Sequence, residues 1–365
     1  MIRHLYFHIP FCTKLCPYCC FYVDTALAGK SQRFIEALLA ELDERRAQYA
    51  LQPLTIYFGG GTPSTLSRTE LQRLFDGLRE RVDLSALTEC TLEANPESVT
   101  PAKAQLLREL GVNRISLGVQ SLDDTLLQTL GRRHTAALAR EKFGLLREAG
   151  FTNLSVDLMF ALPGQTREQW HRSLDEAIAL QPEHISCYCL TYEEDTAFFD
   201  QLQAGKFQQD PDWDADLFEM TMDTLAAAGY AQYEISNFAR PGFESQHNRA
   251  YWAGAPYLGL GPSAFSTVNE TRWKNVADTA RYVSSAMAGQ VEIESTETLS
   301  AQTLLGKRLA FGLRTAEGVK AQDTEPWKDN VAELLALELL QPRGEHLVLT
   351  RRGKLLADAV AEAFV

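Results

Sequence analysis

The sequence has no long apolar segment. No run approaches the roughly 18–20 apolar residues that a membrane-spanning helix needs, and the N-terminus lacks the apolar core and small-residue cleavage site of a signal peptide. Positive charge is also scarce, because 35 Lys and Arg stand against 48 Asp and Glu, for a formal net charge of −13. Since broad nucleic-acid binding needs a basic surface, we expect a cytoplasmic protein that neither inserts into a membrane nor binds nucleic acid.

Cysteine is present, but a cytoplasmic compartment argues against a disulfide framework. Four of the seven cysteines fall in one short stretch, HIPFCTKLCPYCC from His8. Cys12, Cys16 and Cys19 form the pattern C-x3-C-x2-C. A structural zinc site has four ligands, usually as two spaced pairs, and the adjacent Cys20 does not readily converge on the same ion. Three thiolates suit three corners of a [4Fe–4S] cluster, whose open iron can bind S-adenosylmethionine (SAM), and zinc remains the alternative.

Short β-rich runs alternate with amphipathic segments up to about residue 200. Strands are predicted at LYFHI from Leu5, LTIYF from Leu54, ECTLEA from Glu89, RISLGV from Arg114, LSVDLMF from Leu154 and HISCYCL from His184. Helical crossovers between them imply a parallel sheet, and several of these strands read as apolar on both faces. Periodicity leaves open whether the sheet is doubly wound or a partial or full barrel. In each case ligands gather at the C-terminal ends of the strands.

After Asp195 the alternation of predicted strands and helices becomes less regular. A helix is predicted from about Asp212 to Ala228 and a strand around AQYEIS, before a glycine- and aromatic-rich stretch. The C-terminal runs LLGKRLAFGL, VAELLALELLQ, EHLVLT and RRGKLLADAVAEAF predict helices with a small hairpin, a winged-helix-like α+β module. We therefore divide the chain into a barrel domain (1–235), a connecting segment (236–294) and a C-terminal domain (295–365).

A glycine-rich turn, YFGGGTPS, follows the second predicted strand and lets the backbone approach a ligand closely. With the cysteine motif one strand earlier, it makes the sequence resemble radical SAM proteins of the oxygen-independent coproporphyrinogen III oxidase-like family. The resemblance continues through LEANPES, SLGVQS, DLMFALPGQT and HNRAYW, and so covers nearly the whole chain. It implies a six-stranded partial (β/α) barrel, similar to a TIM barrel with an open side that admits a large substrate.

The resemblance also implies roles for single residues. Cys12, Cys16 and Cys19 would hold the [4Fe–4S] cluster. The SAM site would be lined by Tyr6, Gly60, Gly61, Thr62, Glu93, Gln120, Arg132 and Asp157. Three of the polar residues end or leave predicted strands and so can reach the mouth of a barrel, and Arg132 can pair with a carboxylate.

Other motifs bear on which branch of the family the chain resembles. Phe21 stands where the oxidases carry a further cysteine, and only five residues precede Tyr6, which leaves no room for their N-terminal extension. HNRAYW matches the HNxxYW motif of the heme chaperone branch. There His247 would be a ligand for heme iron, and Tyr251 and Trp252 would pack on the macrocycle.

Some positions depart from the chaperone pattern. Cys20 stands where the chaperones carry an acidic residue, and Phe265 replaces a histidine. Cys187 and Cys189 share one strand face and are interpreted as small buried side chains. The sequence favours a heme chaperone that also holds a [4Fe–4S] cluster and SAM. Its partners would be an electron donor and a heme-acceptor protein such as a respiratory enzyme. The alternative is an enzyme, either a radical SAM methyltransferase or a tetrapyrrole oxidase.

Overall fold

The computed structural model describes residues 1–25 and 29–365. All six predicted strands form, and the structure adds further short strands after them. The strands are β1 (Ile2–Ile9), β2 (Leu51–Gly60), β3 (Glu89–Ala94), β4 (Arg114–Gln120), β5 (Leu154–Phe160), β6 (His184–Cys189), β7 (Ala231–Glu234), β8 (Asn237–Ala239), β9 (Leu258–Leu260), β10 (Phe265–Val268), β11 (Thr271–Asn275), β12 (Ile293–Thr298), β13 (Val319–Lys320), β14 (Leu340–Arg343) and β15 (His346–Leu349).

Helices connect the parallel strands, as the sequence predicts. They are α1 (Ser31–Gln48), α2 (Arg68–Arg81), α3 (Pro101–Glu109), α4 (Asp124–Thr129), α5 (Ala136–Glu148), α6 (Arg167–Ala179), α7 (Ala197–Gln203), α8 (Pro211–Ala227), α9 (Gln246–Trp252), α10 (Thr279–Met287), α11 (Ala301–Leu313), α12 (Lys328–Ala336), α13 (Arg351–Leu355) and α14 (Ala357–Glu362). Helix α2 begins with a capping box in which the Ser67 side chain accepts from the Glu70 amide and the Glu70 carboxylate accepts from the Ser67 amide. Such a box satisfies donors that a helix start otherwise leaves free. Within the described residues, no helix has both the length and the apolarity to cross a bilayer.

The central sheet is larger than predicted. Strands β1 to β6 are parallel and lie in chain order, but the full order is β7-β8-β6-β5-β4-β3-β2-β1-β9. Strand β9 pairs in parallel with β1, with Leu5 opposite Leu258, and the hairpin of β7 and β8 extends the β6 edge in antiparallel fashion. These added strands have only three or four residues, too short for a periodicity argument to find.

The inner face of the sheet is polar, which differs from the prediction that several strands are apolar on both faces. Strand β4 shows the pattern, because Ile115 and Leu117 are fully buried in the main apolar core, whereas Ser116 between them donates a hydrogen bond to Asp157 of β5. Side chains of β2 to β6 and the loop after β1 line one common cavity. The sheet therefore curls into a partial barrel with its apolar side toward the helices and its polar side toward the interior.

The C-terminal part contains the predicted helices and hairpin. Strands β13, β15 and β14 form a small antiparallel sheet, and α11 packs with α14 over an apolar cluster that includes Leu309, Leu313, Val360 and Phe364. This combination of helices and a small sheet agrees with the α+β module expected from the sequence. The boundaries at residues 235 and 294 remain predictions.

Candidate functional site

The cysteine loop is fastened to the glycine turn by backbone hydrogen bonds. The Gly61 amide donates to the Ile9 carbonyl at 2.9 Å, and the Thr62 amide donates to the Phe11 carbonyl at 2.8 Å. A Cβ atom on Gly61 would lie 2.7 Å from the Pro10 carbonyl carbon, so a side chain would force the two segments apart. Glycine is therefore needed here because the turn lies directly against the segment that leads into Cys12.

Gly60 has a second steric role. Its φ is 101°, and a Cβ atom there would lie 2.5 Å from the His8 ring. That ring cannot easily move, because it is buried and its Nδ1 and Nε2 atoms contact the Tyr6 hydroxyl and the Tyr22 carbonyl at 3.1 and 2.9 Å. The Tyr22 contact ties the end of the cysteine loop to β1.

We expect Gly60→Ala to destabilise the protein strongly. A positive φ costs a side chain about 1–2 kcal/mol, and overpacking adds about 1–3 kcal/mol. Gly111→Ala is the matched control, because Gly111 also has a positive φ, 93°, but nothing lies within 4 Å of its Cβ position. Urea unfolding followed by circular dichroism should show a lower midpoint for Gly60→Ala than for Gly111→Ala, and equal midpoints would contradict the proposed contact with His8.

The three motif cysteines line one cavity. All three are free thiols. Cys12 Sγ lies 3.3 Å from Thr62 Oγ1, and Arg132 Nη1 donates to Cys16 Sγ at 3.8 Å. Burial raises the pKa of Cys19 to about 11, so a metal must displace the thiol proton when it binds.

Three thiols around one cavity are a donor set that suits an iron–sulfur cluster. No three or more His, Cys, Asp or Glu side chains in the described ranges are grouped as ligands of one metal ion. A cube takes one thiolate at each of three separate corners, so three thiols around a shared space suffice. Cys20, which also lines the cavity, is exposed and adjacent in sequence to Cys19.

The cavity next to the thiols has a volume of about 400 Å³. Seven of the eight residues expected at a SAM site line it: Gly60, Gly61, Thr62, Glu93, Gln120, Arg132 and Asp157. The eighth, Tyr6, is not among its lining residues, and its hydroxyl contacts His8 Nδ1 at 3.1 Å. Residues from distant parts of the sequence are thus assembled around one space beside the cysteines.

Glu93 is a half-buried acid whose carboxylate can accept further hydrogen bonds. One carboxylate oxygen accepts from the Tyr57 hydroxyl at 2.8 Å. Burial raises the pKa of Glu93 to about 7, and the Tyr57 hydrogen bond opposes this effect. The group is therefore close to half-ionised at neutral pH, and its protonation is sensitive to a ligand that donates hydrogen bonds.

Asp157 is more fully engaged by the protein. Its Oδ1 atom accepts from Ser155 at 2.9 Å and from Ser186 at 2.8 Å, and Ser116 donates to Oδ2 at 2.8 Å. Burial raises its pKa, and the three serine hydrogen bonds oppose the shift. The Asp157 carboxylate therefore has less acceptor capacity left for a ligand than the Glu93 carboxylate.

Asn95 is a residue that the sequence analysis did not single out. Its side chain donates to Thr62 Oγ1 at 3.0 Å and accepts from Arg132 Nη2 at 2.7 Å. It thus joins the glycine turn to the arginine that reaches Cys16. Asn95 lies in LEANPES, two residues after Glu93 at the end of β3, and this position is the sequence signal that could have identified it as a site residue. Arg132 also keeps a buried Nε atom without a partner among the described residues.

His247 does not join this site. It lies on the short helix α9, whose amides at Gln246 and His247 donate to the Glu89 carboxylate. The imidazole is buried, and its Nδ1 atom is 2.8 Å from Thr55 Oγ1. Burial lowers the pKa of His247 to about 3. The ring is therefore enclosed within the protein, whereas the sequence analysis expected it to be a ligand for heme iron.

The two cysteines of β6 differ in exposure. Cys187 is buried, as expected, but Cys189 is exposed, so the interpretation of both as buried side chains is wrong for Cys189. The strand ends at Cys189, and there its side chain lines the cavity beside the motif cysteines. Alternation along the strand puts both thiols on one face, but only the first lies deep in it.

A cysteine loop beside a glycine turn, with polar residues at successive strand ends, defines a radical SAM protein. Residues 6–177 match the family model described as the Radical SAM superfamily. The chain is 36% identical to the heme chaperone HemW of Lactococcus lactis, over 99% of this chain and 96% of that protein. It is also 36% identical to HemW of Escherichia coli, over 99% and 97%. The chain belongs to the HemW family of radical SAM proteins.

The fold is shared with a solved radical SAM structure. Coproporphyrinogen III oxidase (HemN) from Escherichia coli superimposes with a TM-score of 0.87 over 100% of this chain and 90% of that one, at 23% sequence identity. At this identity the likeness concerns the fold. It agrees with the predicted α/β architecture and its open, partial barrel.

Proposed function

We propose that the protein is a heme chaperone that binds heme and transfers it to an acceptor protein. The observation that carries this proposal is the similarity to proteins named heme chaperone HemW over nearly the full length of both chains. Full-length similarity includes the C-terminal part and α9 as well as the radical SAM core. An electron donor for the cluster and a heme acceptor are the partners that this function requires.

The cavity beside the cysteines is proposed as the cluster and SAM site. Cys12, Cys16 and Cys19 would hold the cluster, which supplies single-electron reduction of the SAM sulfonium when bound. Arg132, which lines the cavity, is suited to the SAM carboxylate, and the Glu93 carboxylate is suited to ribose hydroxyls. Thr62 and Asn95 keep Arg132 and the cysteine loop in position.

One observation favours an enzyme as the second candidate. Seven of the eight expected SAM contacts line one cavity together with the cysteines, which is the arrangement needed to cleave SAM. A methyltransferase or a tetrapyrrole oxidase would use that cavity for its substrate. A heme chaperone would carry heme as its cargo, whereas these enzymes would act without bound heme.

We expect the anaerobically purified protein to bind a single heme per chain and to release it. Absorbance titration with hemin should show a saturable Soret shift, and addition of apomyoglobin, a general heme acceptor, should move the Soret band to that of myoglobin. Serum albumin that already carries hemin, mixed with the same apomyoglobin, sets the rate of unassisted transfer. Absence of saturable binding, together with SAM cleavage that methylates or oxidises a substrate, would replace the chaperone with the enzyme.

A further inference from the structure

A second and larger cavity lies at the opposite end of the barrel from the cysteines. Its volume is about 790 Å³, within the range of about 300–1,000 Å³ usual for cofactor sites. It is lined by His4 and Thr55, early in β1 and β2, and by Trp252 of α9 and Arg308 of α11. His4 precedes Ile9, where the cysteine loop begins, by five residues or roughly 16 Å of strand. This cavity is therefore separate from the cluster site.

The hydroxyl of Thr55 orients an imidazole in this cavity. Thr55 Oγ1 lies 2.9 Å from His4 Nδ1 and 2.8 Å from His247 Nδ1. A hydroxyl has only one proton, so at least one of the two rings must donate its Nδ1–H to Thr55. His247 is buried, whereas His4 is half-buried and lines the cavity. A His4 ring that donates from Nδ1 carries its lone pair on Nε2, the form in which histidine binds a metal.

His4 Nε2 has no hydrogen-bond partner among residues 1–25 and 29–365. Burial also lowers the pKa of His4, which keeps the ring neutral at physiological pH. Hydrogen bonding at Nδ1 and a free Nε2 are the usual arrangement of an iron-binding histidine.

The walls of the cavity suit the rest of a porphyrin. Trp252 is edge-on to Phe311, 5.6 Å between centroids, and the Arg314 guanidinium carbon lies 5.3 Å from its ring centroid. A flat macrocycle would pack against the part of the indole that these two side chains leave open. Arg308 and Lys320 are exposed cations that line the cavity and have no ion-pair partner in the part of the chain that the structure describes. Two carboxylates on a porphyrin rim would match these two cations.

We propose that this cavity binds an iron porphyrin, with His4 Nε2 as the iron ligand and with Arg308 and Lys320 facing its carboxylates. The inference rests on the proposed function and names the site where heme is carried. It replaces His247 with His4 as the ligand and gives His247 a positioning role, because its ring shares the Thr55 hydroxyl. Heme and SAM would then occupy opposite ends of one barrel.

The test is a hemin titration of His4→Ala. Loss of a hydrogen-bond partner of a metal ligand typically costs about 10–100-fold in affinity. We therefore expect the hemin affinity of Thr55→Val to fall by about this factor and that of His4→Ala to fall further. The Soret band of His4→Ala should differ from that of the wild type and should be restored by added imidazole. His346→Ala is the comparison variant, because His346 lines the same cavity but its ring has no hydrogen bond within residues 1–25 and 29–365, and the hemin affinity of this variant should fall less than that of His4→Ala.

A second set of variants tests the inference if His4→Ala does not fold. Arg308→Glu and Lys320→Glu change exposed positions and should weaken binding of hemin but not of hemin dimethyl ester, which has no free carboxylates. If the wild type binds hemin and His4→Ala has the same spectrum and affinity, this inference alone is overturned. A loss of hemin affinity in His346→Ala but not in His4→Ala would overturn it as well. Absence of specific hemin binding by the wild type would overturn the proposed function as well.

Discussion

Alanine in place of Cys12, Cys16 or Cys19 is expected to abolish the iron–sulfur signal of the protein. Each thiolate would occupy its own corner of the cluster, and the side chains that contact Cys12 and Cys16 offer no substitute for them. Thr62 and Arg132, which contact Cys12 and Cys16, are a hydroxyl and a cation, which are poor ligands for iron–sulfur clusters. Iron and sulfide analysis and electron paramagnetic resonance of the reduced, anaerobically reconstituted protein measure the effect.

Two other cysteines of the cavity supply matched controls. Cys20→Ser and Cys189→Ser each remove an exposed thiol that lines the same space, and both variants should retain the full cluster content. Normal iron and sulfide content in any one of the three motif variants would refute the proposed ligand set. Tight zinc binding by the wild type with no cluster formation would favour the zinc alternative.

The second large effect is on SAM affinity. Loss of a hydrogen bond to a charged group costs about 1.5–3 kcal/mol, which is roughly tenfold to a hundredfold in Kd. We expect Glu93→Gln to lose this much, because Glu93 has a carboxylate oxygen to offer, and Asp157→Asn to lose less, because serines already occupy much of that carboxylate. Anaerobic isothermal calorimetry on the cluster-loaded protein gives the affinities, and unchanged values in both variants would contradict the proposed pocket.

The pH dependence of SAM binding gives an independent check of Glu93. Its pKa of about 7 in the free protein means that protonation competes with a ligand that donates to the carboxylate. Binding should therefore weaken as the pH falls, by about tenfold between pH 8 and pH 6 from this group. Glu93→Gln cannot titrate in this range, and its affinity should change less over the same interval. Equal pH profiles for the two proteins would show that Glu93 does not contact SAM in its ionised form.

Local signals in the sequence were strong enough to find the main elements of the barrel. Strands such as LSVDLMF are long and rich in β-branched or bulky apolar residues, and capping residues such as Ser67 mark helix starts through hydrogen bonds made within four residues. The cysteine motif and the glycine turn could also be found, because cluster ligation and close backbone approach each demand one residue type.

Features that depend on distant partners could not be predicted in the same way. Strand β9 is three residues long and is a strand only because β1 lies beside it. Asn95 acts through Thr62 and Arg132, neither of which is close to it in sequence. The enclosure of His247 follows from its contacts with Thr55 and Tyr57 of β2, and no pattern in HNRAYW encodes those contacts.

The pairing of β1 with β9 has a consequence for synthesis of the chain. Glu41 of α1 is fully buried, yet its partners Gly261, Asn275 and Tyr282 follow 220, 234 and 241 residues later. At about 5–20 residues per second, a ribosome needs roughly 10–50 s to supply them. Throughout that interval the nascent chain carries an open strand edge and an acid that lacks these partners, and such an edge is a template for wrong pairing. The first strand of the barrel to leave the ribosome is thus among the last to be completed, and its edge stays open until β9 has emerged.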